Sequence, residues 1–335
     1  MKLRNVFLSF TLPLVLISCP ADKDSDNQKQ QQGPTTPIER ERLNVDYTAP
    51  NAPRRHNRQR YDLRLPDAGE GPFPLVMYVH GGGFTGGEWR LSSNTNGVIQ
   101  LARSRGYAVA SIGYLLASNS QKAFPELVAD VLAAIRHLRA NAVEYRLDSG
   151  RFAITGFSAG GYLTAIVCAV SGTEDHGYDV TSLGNVGVSH KVQAAASSAA
   201  LTDFRQLNDQ QKQLGGFWMM SDHFNNGGNL SQFFGGGAVT EAAYGAALTK
   251  SNPLTHITVN TPPIYMLHGT SDNLVPYLQS KIMVDKINEV VPGKAVLNQV
   301  AGRGHEDFPA VANATTIAIL DFLDQSLACP APYRS

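Results

Sequence analysis

Phe152-Ala153-Ile154-Thr155-Gly156-Phe157-Ser158-Ala159-Gly160-Gly161 runs from a short apolar stretch, through a serine set between small residues, into a long apolar segment ending near Ser171. Residues 152–155 read as a buried strand and residues 159–171 as a helix, so the serine falls on the turn between them. The pattern Gly156-x-Ser158-x-Gly160 is weak alone in a chain with 31 glycines. Its place at a strand-to-helix turn gives it meaning, because a sharp turn there forces the serine outward and needs small neighbours.

Outward from this turn, strand and helix alternate. Residues 74–80 (Pro-Leu-Val-Met-Tyr-Val-His) and 108–114 form continuous apolar runs, as strands buried on both faces do. Between the second run and the serine turn, Val128, Val131, Leu132, Ile135 and Leu138 recur at helical spacing behind Pro125, which predicts a crossover helix over residues 125–142. Further strands are expected at 192–198, 264–268 and 295–300, and helices at 279–290 and 310–327. Residues 43–48 and 60–65 read as an edge hairpin. This order implies an α/β fold with a mostly parallel central sheet and helices on both faces.

Residues 202–251 break the rhythm. They are rich in Gly, Asn and Gln yet carry Phe217, Trp218, Phe224, Phe233 and Phe234, so this insert is a lid or a loose loop. Its aromatic residues line a substrate pocket or merely anchor the insert, and candidate pocket residues are Phe84, Phe157, Phe217 and Trp218.

A serine hydroxyl needs a base to take its proton, and the base needs a carboxylate to fix its tautomer. Asp272 follows the strand at 264–268, and His305 follows the strand at 295–300 behind Gly302-Arg303-Gly304. Both fall on loops at the C-terminal ends of strands, where sites of open α/β sheets gather. Asp203, Asp285, Glu306 and Asp307 are less economical acids. His80 and His268, at strand ends, suit loop-holding hydrogen bonds. His80-Gly81-Gly82-Gly83-Phe84 follows the first central strand, so the N–H groups of Gly82 and Gly83, with that of Ala159, are candidate oxyanion donors.

The 28 basic residues balance 28 acidic ones, and no basic stripe is interleaved with aromatics, which gives nucleic-acid binding no support. No Cys/His spacing suggests zinc, and the chemistry requires no metal or organic cofactor. Of three cysteines, Cys168 lies in an apolar run and is expected as a buried thiol; a disulfide to Cys329 is permitted but has no geometric support.

The N-terminus reads as a leader. Lys2 and Arg4 precede an apolar run from Val6 to Ser18 that is too short to span a bilayer. Residues 1–18 fit a signal peptide, and Leu16-Ile17-Ser18-Cys19 resembles the bacterial lipobox, in which Cys19 carries the lipid and tethers the protein to a membrane. Residues 20–39 are polar and proline-containing, as a tether is, with the catalytic unit expected over 41–330. Asp22-Lys23-Asp24 is similar to acidic surface-export signals but short enough to arise by chance, leaving the membrane face open.

With these residues in place, the chain from about residue 60 to 327 resembles the hormone-sensitive-lipase-like and carbohydrate-esterase branch of the α/β hydrolases. The likeness rests on His80-Gly81-Gly82-Gly83, on Gly156-Phe157-Ser158-Ala159-Gly160-Gly161, on the helix end Ile135-Arg136-His137-Leu138-Arg139-Ala140-Asn141-Ala142, and on His268-Gly269-Thr270-Ser271-Asp272 with Val275-Pro276. Tyr114-Leu115-Leu116 and Phe157 depart from the usual pattern. The resemblance implies a serine carboxylesterase with Ser158, His305 and Asp272 as triad, acting on short-chain or aromatic acyl esters of small molecules or plant polysaccharide. The rival readings are an amidase or peptidase, disfavoured by the lack of a gating domain ahead of Arg60, and a non-catalytic glycan-binding lipoprotein, disfavoured by the intact constellation.

Overall fold

The computed structural model describes residues 38–53, 56–90, 97–215, 227–307 and 314–329. The expected signal peptide, Cys19 and nearly all of the tether lie outside them, as do Phe217 and Trp218. The described elements belong to a unit that begins at Glu39.

Strand β5 (Leu147–Phe157) is the middle of an eight-stranded sheet ordered β1-β2-β4-β3-β5-β6-β7-β8. It starts earlier than its apolar core suggests because Leu147 already pairs with Phe73. Its neighbours β3 (Phe73–Val79) and β6 (Ala194–Ser198) run parallel to it, and β4 (Ala108–Ile112), β7 (Ile264–Gly269) and β8 (Ala295–Val300) continue in the same sense. The edge hairpin forms as expected, with β1 (Glu41–Asp46) antiparallel to β2 (Arg60–Arg64), and β2 antiparallel to β4. A parallel sheet must be covered on both sides, which is why β3, β4, β6, β7 and residues 152–156 of β5 are buried almost throughout.

Helix α1 (Gly97–Ser104), which the apolar pattern did not reveal, lies with the C-terminal helix on one face: Ile99 and Ala102 pack with Ile319, Leu320 and Leu323 over Val76, Val109, Ala153 and Leu267. Helices α2 (Glu126–Ala140) and α3 (Ala159–Val170) cover the other face. Every residue of α3 is buried. It sits so close to the sheet that a methyl on Gly160 would lie 2.0 Å from the Val79 carbonyl oxygen.

The described parts of the insert carry three helices after β6, α4 (Leu207–Gln213), α5 (Asn229–Phe234) and α6 (Glu241–Lys250), flanked by turns. Phe233 is fully buried, its ring 4.5 Å from that of Phe84, 5.3 Å from Phe124 and 5.8 Å from Tyr162. These parts of the insert therefore form a packed roof and not a loose loop. Helices α7 (Leu278–Val290), against β7 and β8, and α8 (Ala314–Ser326) complete the fold. Both Cys168, buried, and Cys329, half-buried, are free thiols. Among the described residues no helix is long and apolar enough to cross a membrane.

Candidate active site

The turn after β5 holds Ser158 at φ 57° and ψ −119°, a left-handed conformation that L-residues rarely adopt. Its amide N–H donates to the Ser198 carbonyl of β6 at 2.9 Å, which pins the turn to the sheet. The strain is thus held by the packing of β5, β6 and α3, and the side chain projects into a small cavity.

Two loops bring the other members. His305 Nε2 lies 2.9 Å from Ser158 Oγ, and His305 Nδ1 lies 2.7 Å from Asp272 Oδ2. A carboxylate only accepts, so Nδ1 carries the proton and Nε2 presents its lone pair to the serine hydroxyl. All three side chains are buried, with Ser158 keeping 7 % exposure.

Asp272 is fixed from every side. Its Oδ1 accepts the backbone N–H groups of Leu274 at 2.9 Å and Val275 at 2.8 Å. On the other oxygen, His268 Nε2 approaches to 3.3 Å while donating to the Val275 carbonyl at 2.9 Å, and Ser280 Oγ donates to His268 Nδ1 at 2.7 Å. Burial by itself would raise this carboxyl, but the hydrogen bonds and charges of His268 and His305 outweigh burial and hold it well below the usual carboxylate range. His268 therefore serves the acid as well as its loop.

The glycine loop crosses the front of this arrangement. Gly82 and Gly83 have φ of 116° and 58°, and a methyl on Gly82 would strike the Gly86 carbonyl oxygen at 2.3 Å, so only glycine fits there. The Gly82 carbonyl accepts from the amides of Thr85 and Gly86. Gly83, Phe84, Ser158, Ala159, Leu201, Asn229, Leu230, Leu274 and Val275 line a cavity of about 70 Å³, almost wholly apolar. Phe84 is among these lining residues, whereas the Phe157 ring packs 5.0 Å from that of His305, towards the face covered by α1 and α8, because alternation along β5 turns it away from Ser158.

The other acids fall elsewhere. Asp203 accepts from the Arg205 amide and Gln206, and Asp285 pairs with Lys281 on α7. Leu201, Asn229 and Leu230 as lining residues escaped the sequence reading; Leu274 and Val275 carried a signal, since they sit two and three residues after Asp272. Among the described residues no cluster of His, Cys, Asp or Glu is suited to a metal ion.

A model of the BD-FAE family matches residues 61–287. The chain belongs to the BD-FAE family. The match takes in Ser158 and Asp272 and ends before His305. This BD-FAE protein is 27% identical over 260 residues to a probable carboxylic ester hydrolase, LipM, of Mycobacterium tuberculosis, covering 76% of this chain and 54% of that one. It is 26% identical over 257 residues to an isoprenylcysteine alpha-carbonyl methylesterase of Arabidopsis thaliana, covering 75% and 54%. The chain spans about half the length of the curated relatives it matches. Among solved structures, a truncated carbohydrate esterase from gut microbiota superposes with a TM-score of 0.69 at 22% identity, covering 86% of this chain and 96% of that one. A propionate-bound esterase of Thermogutta terrifontis superposes with a TM-score of 0.57 at 21% identity, covering 82% and 92%. These likenesses establish the α/β-hydrolase fold for this BD-FAE chain.

Proposed function

We propose that this protein is a serine carboxylesterase that removes short acyl groups through an acyl-enzyme. The observation that carries this reading is the hydrogen-bonded chain Ser158–His305–Asp272 at the wall of a small apolar cavity. Ser158 Oγ attacks the ester carbonyl as His305 Nε2 takes its proton, and Asp272 stabilises the imidazolium. The N–H groups of Gly82, Gly83 and Ala159 receive the charge on the carbonyl oxygen. The proton then passes from His305 to the leaving alcohol, and a water activated by His305 releases the acid.

The cavity favours the short-chain acyl class over the aromatic one. Its volume of about 70 Å³ is half of the roughly 150 Å³ that accommodates a benzene ring in an apolar cavity. So small an apolar space supports an acetyl or propionyl group over a feruloyl ring. That the alcohol is a polysaccharide draws support from the carbohydrate esterase of gut microbiota that is alike in fold.

The test is hydrolysis of p-nitrophenyl acetate, butyrate and octanoate, acetylated xylan and methyl ferulate. Acetate turns over fastest, ferulate negligibly, and Ser158→Ala lowers kcat by at least about 10⁴-fold with the fold intact. A variant as active as the parent would sink the assignment, and release of acetate from xylan would place a sugar on the alcohol side. The lipidation of Cys19 belongs to the same proposal, with the catalytic unit tethered to a bacterial envelope membrane. Mass spectrometry of the protein from membranes should show a diacylglyceryl modification that Cys19→Ser abolishes.

A further inference from the structure

Arg58 lies on the connection between β1 and β2, far in sequence from every residue of the triad. Its side chain nonetheless reaches the glycine loop, only 19% exposed. Nη2 donates to the Gly87 carbonyl at 2.8 Å and lies 3.3 Å from His80 Nε2, Nε donates to the Tyr114 carbonyl at 3.2 Å, and the guanidinium lies 5.0 Å over the Trp89 ring.

His80 passes this contact on. Its Nδ1 is 2.8 Å from the Gly81 carbonyl oxygen, which can only accept, so Nδ1 carries the proton and Nε2 must accept from Arg58. The ring also lies on Tyr114, centroids 4.3 Å apart, and the Tyr114 hydroxyl donates to the His80 carbonyl at 2.7 Å. Burial pushes His80 down to about 4; the Gly81 carbonyl opposes this, and the Arg58 charge adds to the lowering. The imidazole is therefore neutral, with the task of each nitrogen set.

A trans peptide is planar, with its C=O and N–H pointing opposite ways. The carbonyl held by His80 belongs to the same peptide unit as the Gly82 N–H. We propose that Arg58 is a positioning residue: through His80 it fixes the Gly81–Gly82 peptide plane and thereby aims the Gly82 N–H at the developing oxyanion. This inference rests on the proposed esterase reading for its kinetic consequence but not for the geometry of the relay. An arginine suits the task because its planar fork reaches the imidazole and two carbonyls from one rigid group, which a lysine ammonium cannot do.

The experiment compares full-length protein with Arg58→Lys and Arg58→Ala, measuring p-nitrophenyl acetate hydrolysis beside the ¹⁵N shifts of the His80 ring, with folding checked by circular dichroism. Both variants should lose kcat by about 10- to 100-fold, with KM changed less than about 2-fold, because only the developing charge loses its donor. The His80 Nε2 resonance moves, and millimolar guanidinium chloride restores part of kcat in Arg58→Ala but not in Arg58→Lys, where the ammonium fills the space. Unchanged kcat in folded Arg58→Lys, or a loss of kcat that only follows the unfolded fraction without guanidinium rescue, overturns the proposal. If the parent protein shows no Ser158-dependent turnover, the esterase reading fails by itself, and the ¹⁵N arm decides the relay: an unmoved Nε2 in Arg58→Ala overturns it.

Discussion

Asp272 shows how a buried carboxylate is kept charged. Two backbone amides and two imidazoles converge on its oxygens, so the native state binds a proton there less readily than the unfolded chain does. A depressed native value contributes stability that is present above the unfolded value of about 3.9 and lost as pH falls below it. Asp272→Asn should therefore unfold at lower urea than the parent at pH 7, with the gap narrowing as pH falls below about 4; a constant offset on acidification would deny the linkage. The same variant should lose about 10⁴-fold in kcat, because an amide no longer selects the tautomer of His305. Ser158, Asp272 and His305 could all be read in the sequence because each sits on a loop after a recognisable apolar strand. The side taken by the Phe157 ring follows from alternation along β5, which sets it opposite Ser158 and beside His305. Arg58 gave no signal at all, since its partner His80 lies 22 residues away and the two meet only through tertiary folding.

The helices around the cavity tie stability to specificity. Helix α5 is a mere six residues long and has little intrinsic tendency to form, so Phe233 must hold it down by burial against Phe84, Phe124 and Tyr162. Phe233→Ala should cost about 3–5 kcal/mol in chemical denaturation. As Asn229 and Leu230 of this helix line the cavity, the ratio of butyrate to acetate turnover should rise in the same variant, and an unaltered ratio would show that α5 does not set acyl length. Where α3 meets the sheet, Gly160→Ala would drive a methyl into the backbone of β3 and should cost about 3 kcal/mol or more, whereas Gly150→Ala, meeting only Asp148 Oδ1 at 3.3 Å, should stay within about 0.5 kcal/mol. The long elements, β3 to β8 with α2, α3 and α7, announced themselves through continuous apolar runs or helical spacing. Two-turn pieces did not: α1 and α5 are too short for a periodic signal, and their burial comes from partners distant in sequence.

Acid should weaken the fold through its histidines. Burial lowers His80 to about 4, and His176, His190 and His137 are likewise held below their ordinary value, chiefly by burial. Unfolded imidazoles take up protons near pH 6.5, so as pH falls from 6.5 towards 4 the unfolded chain gains protons that the native state refuses. Stability is therefore full above pH 6.5 and declines below it, His80 alone contributing a slope of about 1.4 kcal/mol per pH unit. Urea midpoints taken across this window should fall steadily, and a flat profile would mean that these rings are protonated in the native protein. The placement of the reacting groups has a different consequence. Ser158 follows β5, whereas His305 lies 147 residues on, behind β8, which ends the sheet among the described strands and pairs there with β7. On the proposed mechanism the hydroxyl has no base until that strand docks. Ester turnover during refolding would thus report the docking of β8: it returns no sooner than that strand arrives, however early the helical signal recovers.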